Sequence, residues 1–238
     1  MIIYGINPVL EALRAGRVRQ VRVGDRGGER MRELLALAER QGVDVKRLPP
    51  DVIARQAQGG VHQGVVADVE DPGTYSVADL VRGARGVPLI VVLDGIEDPH
   101  NVGAILRTAD AAGVDGVVVQ TRRSAPLGGV AAKASAGAVS HLRIAEVVNI
   151  ARALEELKDA GVWTVGLAGE APATYDRIDF RQPSALVLGA EGPGLRRLVR
   201  EKCDFLASIP MGGHVDSLNV SVAAGVALFE AVRQRRTG

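Results

Sequence analysis

Three polar side chains interrupt an apolar, helix-like stretch near the end of the chain, where they could hold a polar ligand or reactant. The stretch covers residues 209–226, and the polar residues are Ser217, Asn219 and Ser221. A buried hydroxyl or amide without a hydrogen-bond partner costs about 1–3 kcal/mol. Either the fold or a ligand must supply the partners. In the purely structural alternative, Ser217 caps a core helix and Asn219 bonds to a nearby turn.

Two earlier segments carry further polar residues in apolar surroundings. Residues 93–110 include Asn101 and Arg107, and residues 186–195 include Glu191. Each has a structural alternative: Asn101 as a helix N-cap, Arg107 as a surface residue of that helix, and Glu191 as an anion near a helix N-terminus. The three segments together favour a functional site.

The elements that position these residues follow an α/β pattern. The apolar run 89–93 shows no alternation, which is typical of a strand buried on both faces of a parallel sheet. Periodicity predicts strands at 18–23, 43–48, 64–69, 89–93, 116–119, 162–167, 185–188 and 205–209. It predicts helices at 8–15, 31–41, 51–57, 102–112, 150–160, 195–202 and 220–235.

Three glycine-rich loops leave the carboxyl ends of predicted strands, at 167–170, 189–194 and 210–214. Ligands of open α/β sheets gather at this edge, and small residues let backbone groups approach a ligand closely. The second loop reads G-x-x-G-x-G, and no G-x-G-x-x-G follows the first buried strand, so a nicotinamide dinucleotide fold is disfavoured. Turn formation alone is the alternative role of these glycines.

The three polar segments resemble, in order and spacing, the motifs of the SpoU (TrmH-like) family of ribose 2′-O-methyltransferases, which belongs to the SPOUT class. The resemblance spans roughly Val87 to Arg235. The first seventy residues, including the His-Gln-Gly-Val segment that starts at His62, resemble the RNA-binding extension of the branch that methylates guanosine in large-subunit ribosomal RNA.

This resemblance implies an α/β fold in which a small domain like that of ribosomal protein L30 (L30e-like) precedes a C-terminal α/β knot, a deep trefoil. The expected division is an RNA-binding domain at 1–70, a linker at 71–86, with 80–86 as its basic far end, and a methyltransferase domain at 87–238. The resemblance also implies a homodimer formed through the knotted domain. The apolar content of the last predicted helix suits such an interface, although core packing explains it equally well.

The resemblance implies S-adenosyl-L-methionine (AdoMet) as cofactor and two sets of site residues. The set that acts on the RNA comprises Asn101, Arg107, Glu191, Ser217 and Asn219. The set that contacts AdoMet comprises Ala168, Gly189, Gly192, Ile209, Met211 and Leu218. His214 and Asp216 are given no role. We expect Arg107 to bind a phosphate and stabilise alkoxide charge, because a guanidinium stays protonated and cannot act as a literal base.

Composition and charge constrain the function less than these motifs do. The net charge is +1, but residues 1–50 contain ten Arg or Lys against six Asp or Glu, a local excess of four positive charges that suits an RNA partner. Only 3% of residues are aromatic, so shape and phosphate contacts are favoured over base stacking.

The single cysteine, Cys203, is expected to be a packed thiol, with no metal site. No membrane segment is expected, and the predicted location is the cytoplasm.

The predicted function is AdoMet-dependent 2′-O-methylation of a guanosine in 23S rRNA, with the P loop of the peptidyl-transferase centre as the expected target. One alternative is a same-family enzyme for another ribosomal nucleotide, including one that confers antibiotic resistance, or for tRNA. A second is a non-catalytic RNA-binding protein of ribosome assembly.

Overall fold

Two sheets and their flanking helices build the molecule. A computed structural model describes residues 1–25, 27–70, 75–122 and 124–236. The strands are β1 (Ile2–Tyr4), β2 (Val18–Val23), β3 (Asp44–Arg47), β4 (Val65–Val69), β5 (Leu89–Asp94), β6 (Gly116–Gln120), β7 (Ile144–Val147), β8 (Trp163–Leu167), β9 (Ala173–Thr174), β10 (Ser184–Gly189) and β11 (Phe205–Ser208). The helices are α1 (Ile6–Arg14), α2 (Glu29–Arg40), α3 (Pro50–Gln56), α4 (Val77–Arg82), α5 (Pro99–Ala111), α6 (Gly129–Ala134), α7 (Ile150–Asp159), α8 (Arg197–Lys202) and α9 (Val220–Arg236).

The first sheet has four strands in the order β1-β4-β2-β3. Strand β4 pairs antiparallel with β1 and β2, whereas β2 and β3 are parallel. Helices α1 and α2 bury apolar residues such as Leu10, Leu13 and Leu34. The same continuous core extends into the second unit, towards α5 and α9.

The second sheet has seven strands in the order β7-β6-β5-β10-β8-β11-β9, and every described pairing in it is parallel. All residues of β5 and β10 are buried. On β5, Leu89, Val91 and Leu93 pack in the core that contains α5 and α9, whereas Ile90 and Val92 face α4, α7 and α8. The parallel arrangement brings the carboxyl ends of β5, β10, β8 and β11 to one edge, and the three glycine-rich loops leave that edge.

The predicted strands and helices are all present, with ends shifted by at most a few residues. Strands β1, β7 and β9 and helices α4 and α6 were not predicted from the sequence. The three strands have only two to four residues, too few to establish an alternating pattern. Helix α6 consists of Gly, Ala, Val and Lys and lacks a clear polar face.

The segment expected to be a linker, 71–86, contains a short helix. Residues 71–74 lie outside the described residues, but Val77–Arg82 forms α4, with Val77 and Leu80 buried in the core. Ser76 caps this helix in a capping box with Asp79. The pKa of Asp79 is lowered to about 2, because its carboxylate accepts hydrogen bonds from the side chain and backbone of Ser76 and from Arg82. Periodicity did not predict α4, because its six residues span fewer than two turns.

Cys203 is a partly buried thiol, in keeping with the packed thiol predicted for it. Its Sγ donates to the carbonyl oxygen of Val199 at 3.3 Å, and burial raises its pKa to about 12. Among the residues that the structure describes, no helix is both long and apolar enough to cross a membrane.

Two helical glycines provide a test of the packing around α5. A Cβ on Gly103 would lie 2.3 Å from Ala134 Cβ and 2.7 Å from the carbonyl oxygen of Ala131, whereas a Cβ on Gly225 meets only Thr108 Cγ2, at 3.8 Å. We expect Gly103→Ala to lower the free energy of unfolding by about 1–3 kcal/mol, because the backbone of α6 must move. Gly225→Ala should raise it by about 0.5–1 kcal/mol through helix propensity.

Urea titrations of the two variants and the parent protein, at one protein concentration, measure both changes. A similar loss of stability in both variants would contradict the close approach of α5 to α6.

Candidate functional site

A cleft of about 580 Å³ opens at the carboxyl edge of the second sheet. Its walls are formed by 167–170, 188–195 and 216–220, together with residues that follow β11. All six residues predicted to contact the cofactor line it: Ala168, Gly189, Gly192, Ile209, Met211 and Leu218. Of the residues predicted to act on the substrate, Glu191, Ser217 and Asn219 line it as well.

Three of the predicted residues form a closed hydrogen-bonded group, which we call the polar triangle: Asn101, Glu191 and Asn219. Asn101 Nδ2 donates to Glu191 Oε2 at 3.1 Å, and Asn219 Nδ2 donates to Glu191 Oε1 at 3.2 Å. Asn219 Nδ2 also donates to Asn101 Oδ1 at 3.0 Å. Both carboxylate oxygens of Glu191 therefore accept amide hydrogens, one from each asparagine.

Each corner of the polar triangle comes from a different element. Asn101 lies in the first turn of α5 and is only 6% exposed. Asp98 caps this helix through the N–H of His100, and Pro99 occupies the first turn, so Asn101 is not the N-cap. The side chain of Asn101 is consequently free to reach across to Glu191.

Asn219 has two functions at the start of α9. Its Oδ1 accepts from the backbone N–H of Ser221 at 2.9 Å and from the Ser221 hydroxyl at 2.6 Å. Asn219, and not Ser217, is therefore the N-cap of α9, which corrects the structural alternative considered for this segment. Its amide nitrogen remains available for Glu191 and Asn101, so one side chain caps a helix and joins the triangle.

Glu191 lies on a loop that folds back on itself. Ala190 and Gly194 exchange two backbone hydrogen bonds, of 3.1 and 2.9 Å. Gly192 and Gly194 have φ values of +84° and +70°, which favour glycine. A Cβ on Gly189 would lie 2.2 Å from the carbonyl carbon of Gly194, so only glycine fits beneath the returning chain. The glycine pattern thus fixes the position from which Glu191 extends.

An ion pair that the sequence analysis missed lies beside this loop. Asp94, the last residue of β5, is fully buried, and both of its carboxylate oxygens accept hydrogen bonds from Arg196. Arg196 Nη2 also donates to Gln120 Oε1 at 2.8 Å. The only sequence signal was an acidic residue at the end of an apolar strand, which is equally typical of a strand end followed by a turn.

Two predicted residues lie apart from the triangle. Ser217 is exposed on the cleft wall. Arg107 is exposed on α5, six residues beyond Asn101 or about 9 Å along the helix axis, and it does not line the cleft. Within the described part of the chain, the side chain of Arg107 makes no hydrogen bond or ion pair. The triangle therefore makes no hydrogen bond with the Arg107 side chain within the described residues.

Comparison with known proteins identifies the family. Residues 88–229 match the model of the SpoU rRNA Methylase family, and residues 2–75 match that of the RNA 2′-O ribose methyltransferase substrate binding domain. The chain is 46% identical to a 23S rRNA (guanosine-2′-O-)-methyltransferase RlmB of Pseudomonas aeruginosa and 47% identical to that of Yersinia pestis. The alignments cover 98% of this chain and 96% and 97% of those proteins.

Solved structures support the same family assignment. The SpoU methyltransferase AviRb of Streptomyces viridochromogenes, in complex with AdoMet, superposes with a TM-score of 0.84 at 30% identity over 100% of this chain and 91% of that one. An AdoMet-bound rRNA methyltransferase of Sinorhizobium meliloti gives 0.81 at 28% identity, over 98% and 86%. The predicted α/β fold class is confirmed, whereas the knot stays a prediction. By its sequence, its fold and its match to the family model, the chain belongs to the SpoU rRNA methylase family.

Proposed function

We propose that this protein transfers a methyl group from AdoMet to the ribose 2′-hydroxyl of a guanosine in 23S rRNA, within the P loop of the peptidyl-transferase centre. The observation that carries the proposal is the polar triangle on the wall of a cleft built from three glycine-rich loops. The names of the relatives from Pseudomonas aeruginosa and Yersinia pestis support guanosine in 23S rRNA as the substrate. A ribosomal substrate in turn supports a cytoplasmic location.

The cleft suits AdoMet in size and chemistry. Its volume lies within the range of small-molecule sites, and its lining mixes apolar side chains with glycines and a few polar groups. Ile209, Met211 and Leu218 would cover the apolar faces of the cofactor, and the backbone around Gly189 and Gly192 would read its polar edges. When bound, AdoMet supplies an electrophilic methyl group on a sulfonium.

The protein's own groups bind the acceptor and stabilise charge. Asn219 holds Asn101 and Glu191 in place, so the second N–H of the Asn101 amide and the unused lone pairs of Glu191 are preorganised towards a ribose. Arg107 binds the adjoining phosphate and stabilises the charge that develops on the 2′-oxygen. The hydroxyl proton passes to water or to a carboxylate, because the guanidinium is already fully protonated.

The N-terminal unit, residues 1–70, is proposed to hold the RNA by its phosphates. The basic side chains of Arg19, Lys46 and Arg55 are 70%, 57% and 74% exposed and contact acidic neighbours at 3.2–3.9 Å. Such exposed pairs contribute little stability, so RNA phosphates can replace the carboxylates at small cost.

The RNA substrate is tested by labelling. The purified protein is incubated with tritiated AdoMet and unmodified large-subunit RNA, small-subunit RNA or tRNA, and any labelled ribose is mapped. We expect label at a guanosine of the P loop in large-subunit RNA alone. Label at another ribosomal nucleotide or in tRNA would support ribose 2′-O-methylation and refute the P-loop guanosine as the target. No label with any RNA, combined with no AdoMet binding by calorimetry, would instead favour an RNA-binding role without catalysis.

Arg107 is tested by substitution. We expect Arg107→Ala to lower kcat by about a hundredfold or more, because a charge-stabilising donor is lost. Its affinity for AdoMet should stay unchanged, because Arg107 lies outside the cleft. Single-turnover kinetics and calorimetry measure the two effects.

Arg152→Ala is the matched control. Arg152 is an exposed arginine on α7, which packs on the opposite face of the second sheet from α5. Near-normal turnover of Arg107→Ala with unchanged RNA affinity would refute the role given to Arg107.

We also propose a homodimer formed through α9. Val222 and Phe229 are 51% and 50% exposed, and residues seven apart lie on one face of a helix. Light scattering at micromolar concentration should give twice the mass of the chain, and Phe229→Glu should reduce it towards the monomer. Val148→Glu, at an apolar residue that is 75% exposed and lies on a different segment, should leave the dimer intact. A monomeric parent protein would refute this interface.

A further inference from the structure

Both ends of the loop that carries Glu191 lie beside the same residue, Asp94. In the parallel ladder between β10 and β5, Gly189 is paired with Asp94. After the turn, the backbone N–H of Arg196 donates to Asp94 Oδ2 at 2.9 Å. Residues 190–195 therefore leave the sheet beside Asp94 and return to its carboxylate.

The returning end is held by more than this backbone bond. Arg196 Nε donates to Asp94 Oδ1 at 2.7 Å, and Nη2 donates to the same oxygen. Nη2 also donates to Gln120 Oε1 at 2.8 Å, and Gln120 Nε2 donates to the carbonyl oxygen of Val148 at 3.1 Å. The guanidinium thus ties the end of the loop to the carboxyl ends of both β5 and β6.

The buried carboxylate makes this attachment strong. Asp94 is fully buried, whereas the Arg196 side chain is 40% exposed. A buried carboxylate without its counter-charge lowers the stability of the fold. Movement of the loop away from Asp94 is therefore unfavourable, because it would leave that carboxylate unpaired. A lysine cannot replace the arginine, because it presents a point charge instead of a planar fork.

The loop itself needs such restraint. Gly192 and Gly194 both have positive φ, and apart from the bridge between Ala190 and Gly194 no backbone hydrogen bond within the described residues holds 190–194. Glycine has the largest conformational freedom of any residue. The triangle requires Glu191 to place both oxygens within 3.2 Å of two different amides.

We propose that Asp94, Arg196 and Gln120 are positioning residues that hold the 190–195 loop so that Glu191 completes the polar triangle and the cleft keeps its shape. Their effect on turnover rests on the proposed function, whereas their effect on the loop does not. Arg196 acts through Glu191 and the loop backbone, not through contact with the reacting atoms.

The central test compares Arg196→Lys with Arg197→Ala. Arg197 is the next residue, and its side chain is 80% exposed and pairs with Glu201 within α8. We expect Arg196→Lys to lower kcat by about a hundredfold, because catalysis is sensitive to misplacement by about 1 Å. We also expect weaker AdoMet binding in calorimetry with AdoMet alone. Arg197→Ala should match the parent protein in both measurements.

A double-variant cycle separates positioning from general stability. If Arg196 acts through Glu191, adding Arg196→Lys to Glu191→Ala should cost far less in kcat than it costs in the parent protein. Fully additive losses would overturn the proposal. Gln120→Ala removes only the outer contact and should give a smaller loss of the same kind, so the proposal stays testable if the Arg196 variant folds poorly.

A readout independent of activity separates this proposal from the proposed function. Hydrogen exchange at the Gly194 and Ala190 amides should be faster in Arg196→Lys, with exchange in β5 and β10 unchanged. Unchanged protection of the loop would overturn the proposal even in an active enzyme. Faster exchange in a protein that methylates no RNA would support the attachment of the loop to Asp94 and refute only the proposed methyltransferase function.

Discussion

The parallel ladder between β5 and β10 is the constraint on which the site depends. Six consecutive residues of each strand are paired and buried, from Ser184 opposite Leu89 to Gly189 opposite Asp94. Because a shift of one residue would turn every side chain to the other face, burial on both faces fixes this register strongly. The two strands therefore end at the same level, and the loops that follow them begin from defined points at one edge.

Burial that fixes the strands also creates a requirement for polar partners at their ends. Asp94 ends β5 inside the protein, and Asn101 lies almost buried in the helix that follows. Each finds its partner on the segment that follows β10, through Arg196 and Glu191 respectively. Satisfying the polar groups of one strand–helix unit therefore positions the loop of its neighbour. The contacts that compensate for the burial of Asp94 and Asn101 therefore also assemble the candidate site.

The sequence allowed five of the seven described strands of the second sheet to be predicted, because unbroken apolar runs such as 89–93 indicate buried parallel strands without further information. Family resemblance also predicted Asn101, Glu191 and Asn219 as residues of one site, and these three side chains are hydrogen-bonded to one another. Contacts between distant segments could not be derived from local pattern. The pairing of Asp94 with Arg196 joins residues 102 positions apart, and α4 is shorter than the window in which periodicity can be recognised. Single polar residues at strand ends are too common to indicate their partners.

Arg107 differs from the triangle in a way that follows from its proposed role. The amides and carboxylate of the triangle satisfy one another before any substrate arrives, so their geometry is preorganised at no cost during the reaction. Arg107 is exposed and, within the described residues, unpaired, so its guanidinium keeps its full capacity for a phosphate. An arginine already paired with Glu191 would have to break that bond before it could bind RNA. The separation of Arg107 from the triangle is therefore what the proposed role requires, namely a guanidinium whose partner is a phosphate of the RNA substrate.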